Sequence, residues 1–442
     1  MAQTAQDSRV PPTGKDNAAS FPDPLKTLIW NAVLEKATDM HLHSVADGLR
    51  VLHRVDGMIH PKLLLSRVEG RRLLNQLKSA AGLTIVRSFS PLEGQIVWPD
   101  EQMRWEIRVT LTPVRDRESA HLRFLSVPRN EWDIASLGLS TTDQEKVSSI
   151  VHSPNGLVLI SGATGSGKTT TMYCLASLMD LRTTTTYSIE DPVEFKIPYI
   201  QQIEVDEYHG LTMHEGLRTI LRMDPDLILI GEIRDGDSAL VAARAALSGR
   251  LVLATIHAQD AAGAIDSLHY LGVPYHIIGS SLRLVIAQNL VRRVCPDCAQ
   301  PREPGDQEKE LFTRFGMEPP ENVWERGSQK TGGGAASDIV APPLPGCPEC
   351  HSYGYQGRTG IFEVATMDDE MTTLIRSGAD HQQLLSCLRK QGTRSMMQDG
   401  LEKAAAGVTF LEELTRICGS VRRQEPIRPT PDPLAFEEMV AN

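Results

Sequence analysis

The chain has 442 residues, of which 41% are hydrophobic and 23% charged; this is enough apolar mass for two or three domains with buried cores, and it excludes a chain disordered throughout. A formal charge of -11 opposes general affinity for nucleic acid or anionic lipid, although a local basic patch can still bind either. No apolar run is long enough to cross a bilayer and the start lacks the apolar core of a signal peptide, so the expected location is the cytosol.

Residues 1–20 are polar and contain proline, and read as a disordered leader. Segment 21–133 mixes patterns. "LKTLIWNAVLEKA" has helical spacing, "GLRVLHRVDG" alternates like a strand ending in an Asp-Gly turn, and "RWEIRVTLTPV" followed by "SAHLRFL" reads as a strand pair. A compact α+β domain is expected there, with a linker over 134–142. From 143 to 294, helix and strand alternate, beginning with a helix near 142–151 and the strand "GLVLISG". That alternation predicts an α/β core with a mainly parallel sheet and helices on both faces. Segment 295–350 carries two Cys-x-x-Cys pairs around a stretch rich in Gly, Pro, Glu and Ser at 300–345, expected to be a flexible insertion. Residues 351–423 read as helical and 424–442 as a loose tail.

"GATGSGKT" follows the apolar "LVLIS" and precedes the helical "TTTMYCLASLM", which is the context a phosphate-binding loop needs. Gly162, Gly165 and Gly167 let backbone N–H groups face an anion, with Ala163, Thr164 and Ser166 between them. The helix that begins after them, through Thr170, adds favourable potential. Lys168 is expected at the β- and γ-phosphates of ATP, and Thr169 at magnesium.

A carboxylate at the end of a central strand lies beside such a loop. "LILIGEIRD" offers Glu232 there, in place of the Asp that usually helps hold magnesium, and Glu232 is read as the group that orients or deprotonates the attacking water. "TYSIEDPVEF" adds Glu190, Asp191 and Glu194, with Glu190 expected as an accessory ligand of water or magnesium. "RLVLATIHA" ends in His257, placed to hydrogen-bond the γ-phosphate and so to sense which nucleotide is bound. Four of the seven cysteines lie in the two Cys-x-x-Cys pairs, Cys295 with Cys298 and Cys347 with Cys350, a spacing that favours metal over disulfide in a reducing compartment. Cys174, Cys387 and Cys418 read as buried thiols.

Taken in order, the phosphate loop, "EDPVE" at 190–194, "GEIRD" at 231–235 and the strand end at 255–258, "TIHA" here for the family's "THA", resemble the secretion ATPase superfamily, specifically the type II secretion and type IV pilus assembly ATPases. The amino-terminal "ATDMHLH", "LHRVDGMI", "RVTLTPV" and "HLRFL" look like that family's segments as well. The resemblance implies a RecA-like P-loop domain preceded by a PAS-like α+β domain and followed by a tetracysteine zinc subdomain and a helical region. It implies ATP hydrolysis in a homo-hexamer that drives type IV pilus assembly or type II secretion through an inner-membrane platform protein, at the cytoplasmic face of that membrane, with no nucleic acid. It makes Arg108 and Arg123, with Arg104 as a third, candidates for arginine fingers, and it assigns structural zinc to Cys295, Cys298, Cys347 and Cys350. The alternative class is a DNA-translocating ring ATPase, which the net acidity and the lack of a basic, aromatic-rich groove disfavour. Three positions depart from the family, which usually has Arg where this chain has Gln95, Ser267 and Asn289.

Overall fold

The structure, a computed structural model, describes residues 23–99, 104–125, 132–327, 347, 349–350 and 353–418. The expected leader, the tail and the later part of the insertion, 328–345, lie outside the described residues. The chain divides into two compact units, Met1–Arg292 with Tyr355–Thr393, and Arg293–Gly354 with Arg394–Asn442.

The first unit opens with α1 (Asp23–Leu34), β1 (Asp39–Val45), β2 (Gly48–Val55), β3 (Met58–Ser66), α2 (Arg67–Ala80), β4 (Leu92–Pro99), β5 (Arg104–Val114) and β6 (Arg117–Leu125). These strands form one antiparallel sheet in the order β3-β2-β1-β6-β5-β4, the α+β domain expected from the pattern. The Asp-Gly signal is correct: Asp56 and Gly57 turn the β2–β3 hairpin with φ of 49° and 80°. That pair of positive values is what a two-residue hairpin requires. The apolar stripe of α1 and α2 buries Leu25, Ile29, Leu73 and Leu77 against Met40, Leu42, Val51 and Ile107 of the sheet.

A single 3-10 turn at Ile134–Leu137 lies in the expected linker. The core then runs α3 (Thr141–Val151), β7 (Gly156–Ser161), α4 (Lys168–Ala176), β8 (Thr186–Glu190), β9 (Ile200–Glu204), α5 (Met213–Ile220), β10 (Leu227–Ile230), α6 (Gly236–Leu247), β11 (Leu251–Ile256), α7 (Ala261–Tyr270), α8 (Tyr275–Ser281) and β12 (Leu282–Val294). Beyond it come β13 (Ala299–Arg302), α9 (Asp306–Arg314), β14 (Val323–Arg326), β15 (Tyr355–Thr366), α10 (Asp369–Ser377), α11 (His381–Lys390), α12 (Met396–Ala405) and α13 (Leu411–Cys418).

The large sheet has the order β15-β12-β7-β11-β10-β8-β9, and the six strands from β12 to β9 pair in parallel. Successive side chains of a strand point to opposite faces. Leu157 and Leu159 therefore enter one apolar cluster with Ile228, Ile230, Val252 and Ala254, whereas Val158 and Ile160 enter another with Leu227, Leu229, Leu251 and Leu253. Helices cover both faces, so continuous apolar runs such as "LILI" are buried along their whole length.

Two expectations need correction. Residues 351–423 are not simply helical: β15 leads them, and "GIFEVA" within it is buried and forms the edge of the large sheet beside β12. Its β-branched and aromatic residues fit a pleated surface better than a helix. The insertion at 300–345 is also partly structured, with β13 paired to β14 and α9 between them. Phe312 and Val323, with 0% and 1% exposure, bury the little apolar surface that its polar composition hid. Cys174 and Cys387 are buried as expected; Cys418 is exposed.

Candidate nucleotide site and cysteine cluster

The loop after β7 turns on glycines with φ of 152° at Gly162, 79° at Gly165 and 86° at Gly167. A side chain at Gly162 would place its Cβ 2.3 Å from the Gln288 carbonyl oxygen, so only glycine lets the loop lie against β12. Gln288, itself 1% exposed, braces the loop by donating from Nε2 to the Ser166 carbonyl at 2.7 Å. The Ser166 hydroxyl is buried with no hydrogen-bond partner among the described residues, an orphan donor aimed into a loop built for anions.

Lys168 opens α4, and its Nζ donates to the carbonyls of Gly162 at 2.8 Å and Ala163 at 3.3 Å. Burial pushes its pKa down, and the nearby Glu232 carboxylate pulls the other way. Nζ lies 4.0 Å from Glu232 Oε1 and 3.4 Å from His257 Nδ1, while His257 Nε2 lies 2.6 Å from Glu232 Oε1. His257 Nδ1 also lies 3.2 Å from the Gly162 carbonyl oxygen, so this nitrogen faces both a donor, Lys168, and an acceptor. The ends of β7, β10 and β11 thus bring Lys168, Glu232 and His257 to one point.

The Gly231-Glu232 ending has a steric reason. A Cβ at Gly231 would lie 3.1 Å from Glu190 Cα and 3.3 Å from Glu190 Cγ, because β10 passes close to the end of β8. Thr255 Oγ1 donates to the Gly231 carbonyl at 2.5 Å and Ile233 N–H donates to the Thr255 carbonyl at 2.9 Å, which fixes the turn that presents Glu232. Asp235 then caps α6 through the backbone N–H and hydroxyl of Ser238.

Glu190 stands elsewhere than expected. It is 2% exposed, and its oxygens accept from the Tyr173 hydroxyl, from Ser188 Oγ at 2.6 Å and from Gln202 Nε2 at 3.2 Å. Burial and that carboxylate hold the Tyr173 pKa far above its usual value, so the phenol stays a donor. These bonds engage Glu190 in tying β8 to α4 and β9 rather than offering it to water or metal.

Arg108 Nη2 donates to the Val193 carbonyl at 3.0 Å, and Val193 N–H donates to Glu204 Oε2 at 2.9 Å, so the amino-terminal sheet grips the "EDPVE" loop directly. Arg123 instead pairs with Asp39, Nε to Oδ1 at 3.1 Å. Burial alone would raise the Asp39 pKa, but bonds from His121, Thr38 and Arg123 outweigh it and hold the carboxyl far below its usual range. The Arg104 side chain lies outside the described residues.

Two residues at this site escaped the sequence reading. Arg234 bridges Glu232 at 2.5 Å and Asp191 at 2.9 Å, joining the two acidic motifs; its place two residues after Glu232 was the available signal. Buried Glu363 on β15 accepts from the Ala261 N–H at 2.8 Å and from Arg389, and so anchors the start of α7 behind His257. Of the departures from the family pattern, Gln95 donates to Glu106 Oε2 at 3.1 Å, and Ser267 Oγ donates to the Gly263 carbonyl at 2.8 Å with the His257 carbonyl 3.2 Å away. Beside the phosphate loop, a cavity of about 470 Å³ is lined by Trp105, Phe124, Gly167, Thr170, Leu290 and Arg358, among others.

In the second unit, the sulfurs of Cys295, Cys298, Cys347 and Cys350 all lie within 4.8 Å of one another. Cys295 is 3.9 Å from Cys347, and Cys298 is 3.6 Å from Cys350. Four thiolates about 2.3 Å from one tetrahedral zinc stand about 3.8 Å apart, so the spacing fits. The Gly354 N–H donates to Cys350 Sγ at 3.2 Å. Burial pushes the Cys295 thiol up to about 11, whereas backbone N–H donation from Cys350 lowers Cys347.

A parallel sheet with a glycine-rich phosphate loop after its first core strand, and a carboxylate two strands away in the order β7-β11-β10, defines a RecA-like P-loop ATPase. The profile of the Type II/IV secretion system protein family matches residues 15–416. The chain is 34% identical over 395 residues to the Type II secretion system ATPase E of Vibrio cholerae, covering 89% of this chain and 74% of that one. It is 35% identical over 397 residues to the Type II secretion system protein E of Pseudomonas aeruginosa, with the same coverage. Its fold is similar to that of the Legionella pneumophila ATPase DotB, with a TM-score of 0.63 and 20% identity, covering 91% of this chain and 98% of that one. The chain therefore belongs to the Type II/IV secretion system protein family, and it is an ATPase.

Proposed function

We propose that this ATPase works as a homo-hexameric motor that drives type II secretion or type IV pilus assembly through an inner-membrane platform protein, at the cytoplasmic face of that membrane. The observation that carries the reading is the convergence of Lys168, Glu232 and His257 at the ends of three buried parallel strands. In the reaction ATP and water give ADP and phosphate. Lys168 exchanges its loop carbonyls for phosphate oxygens, and Glu232 accepts the proton of the attacking water. His257 holds the Glu232 carboxylate in place through Nε2, then bonds the γ-phosphate and reports its loss. The cavity at Thr170 and Trp105 takes the nucleoside.

Thr169 and Glu232 offer the hard oxygen donors that magnesium takes, the rest coming from phosphate and water. Magnesium there supplies charge neutralisation at the phosphates. The four cysteines fit a structural zinc, which pins their unit and takes no part in hydrolysis. Arg108 reaches the nucleotide when the amino-terminal domain closes over the core, because it already touches the loop that follows Glu190. Glu190 belongs to the scaffold, and Arg123 to the Asp39 pair.

The test is replacement of the chain in its host by Lys168→Ala. Export of secreted protein or the surface fibre should disappear while the protein stays at normal abundance. Unchanged export and an unchanged fibre overturn the motor reading.

A further inference from the structure

The amino-terminal domain holds a second cleft, lined by α2, the start of β2, the loop at 85–87 and the β5–β6 hairpin, with a volume of about 530 Å³. Four arginines line it: Arg67, Arg71, Arg87 and Arg117. Three of them are tethered by main-chain carbonyls. Arg67 donates from Nε and Nη2 to Ala46 at 2.9 and 2.6 Å, Arg87 donates to Arg115, and Arg117 donates to Val45. Such bonds orient a guanidinium and leave its charge unmatched. The carboxylates in the lining compensate little: Asp116 comes no nearer than 3.8 Å to Arg117, and Glu118 is already paired with the fully buried Lys78 at 2.7 and 2.8 Å. Among the lining residues, four guanidiniums against two carboxylates leave an excess of two positive charges, and one of those carboxylates is paired with Lys78 besides, in a chain whose net charge is -11. Buried Leu49 and Leu74 give the cleft an apolar floor, exposed Ile85 lines it as well, and Asn75 adds a further polar group.

We propose that this cleft is an anion site for a phosphate ester carrying at least two negative charges, separate from the ATP site. Planar guanidiniums bind phosphate oxygens in bidentate pairs, and those already fixed by main-chain carbonyls lose little rotamer freedom on binding. The volume suits a ligand up to about the size of a nucleotide, on the scale of small-molecule pockets. The same chemistry belongs to a soluble phosphorylated solute and to an anionic lipid headgroup.

The experiment uses full-length protein bearing Lys168→Ala, which silences the ATP site, and titrates pyrophosphate by calorimetry at low and at physiological salt. In parallel, the same protein is sedimented with phosphatidylcholine vesicles containing or lacking phosphatidic acid. A soluble ligand predicts one pyrophosphate per chain, weakened at least tenfold by Arg71→Ala with Arg87→Ala and restored in part by the paired Lys substitutions. A lipid ligand predicts binding only to the anionic vesicles, with the same response to the variants. Both arginines are exposed, so the melting temperature should not move. No binding in either arm, or binding indifferent to the two arginines, overturns the proposal.

Discussion

The nucleotide end of the large sheet and the cysteine cluster both gather groups from distant parts of the chain, but different forces hold them there. At the sheet, parallel ladders buried on both faces fix the ends of β7, β10 and β11, so Lys168, Glu232 and His257 meet because the strands end where they do. In the cysteine unit the sulfurs approach to 3.6 and 3.9 Å, and the same unit buries only scattered apolar side chains such as Phe312, Val323 and Leu414. A site of the first kind survives loss of its ligand. One of the second kind would draw its stability from a bound metal, because binding free energy there is folding free energy.

That contrast can be broken at several points. The largest effect should come from Lys168→Ala, which removes the cation proposed to meet the phosphates and should cut ATP turnover by about 10²–10³-fold. Its thermal unfolding without nucleotide should change little, since the strands alone build the site; a collapse of the fold would contradict this. Cys298→Ser should lower bound zinc from about one per chain to near zero, measured by metal analysis. Limited proteolysis should then open the segment 293–354 while ATP still binds, and equal resistance with and without metal would remove the distinction. Arg108→Ala should slow hydrolysis by about tenfold or more, with nucleotide affinity nearly unchanged.

The smallest effect is acid stability. Burial raises the Glu35 pKa, but hydrogen bonds from His53 and Lys62 at 2.7 and 2.8 Å outweigh it and bring the carboxyl down to about 2. The folded pKa lies below the unfolded one, so the unfolded chain binds more protons between them. The contribution is complete above about 4.5 and fades as the pH falls towards 2. Glu35→Gln should therefore flatten the acid limb of the stability curve over that window and lower stability at neutral pH, as followed by denaturant unfolding; an unchanged acid limb would contradict it.

The proposed nucleotide site was legible where its chemistry is local. "GATGSGKT" between a strand and a helix, and carboxylate or imidazole at the ends of apolar runs, are short-range patterns. The role of Glu190 was not legible, because Tyr173 and Gln202, which engage it, come from other elements. Arg234 was hidden for a similar reason: its second partner, Asp191, is 43 residues away. In the fold, parallel strands buried on both faces announced themselves as apolar runs. β15 did not, because its first residues, "YQGRTG", mask the buried run that follows, and only the sheet edge beside β12 reveals it. Tertiary context also decided Gly231, whose identity depends on the approach of β8.

The most direct test of the account is the ATPase rate of Glu232→Gln measured together with its ATP affinity. The substitution preserves size and most contacts while removing the proton acceptor. Turnover should fall by about 10²–10⁴-fold with ATP bound as tightly as before. A rate within a few-fold of the unaltered protein would show that Glu232 does not activate water, and the assignment at the end of "LILIGEIRD" would be wrong.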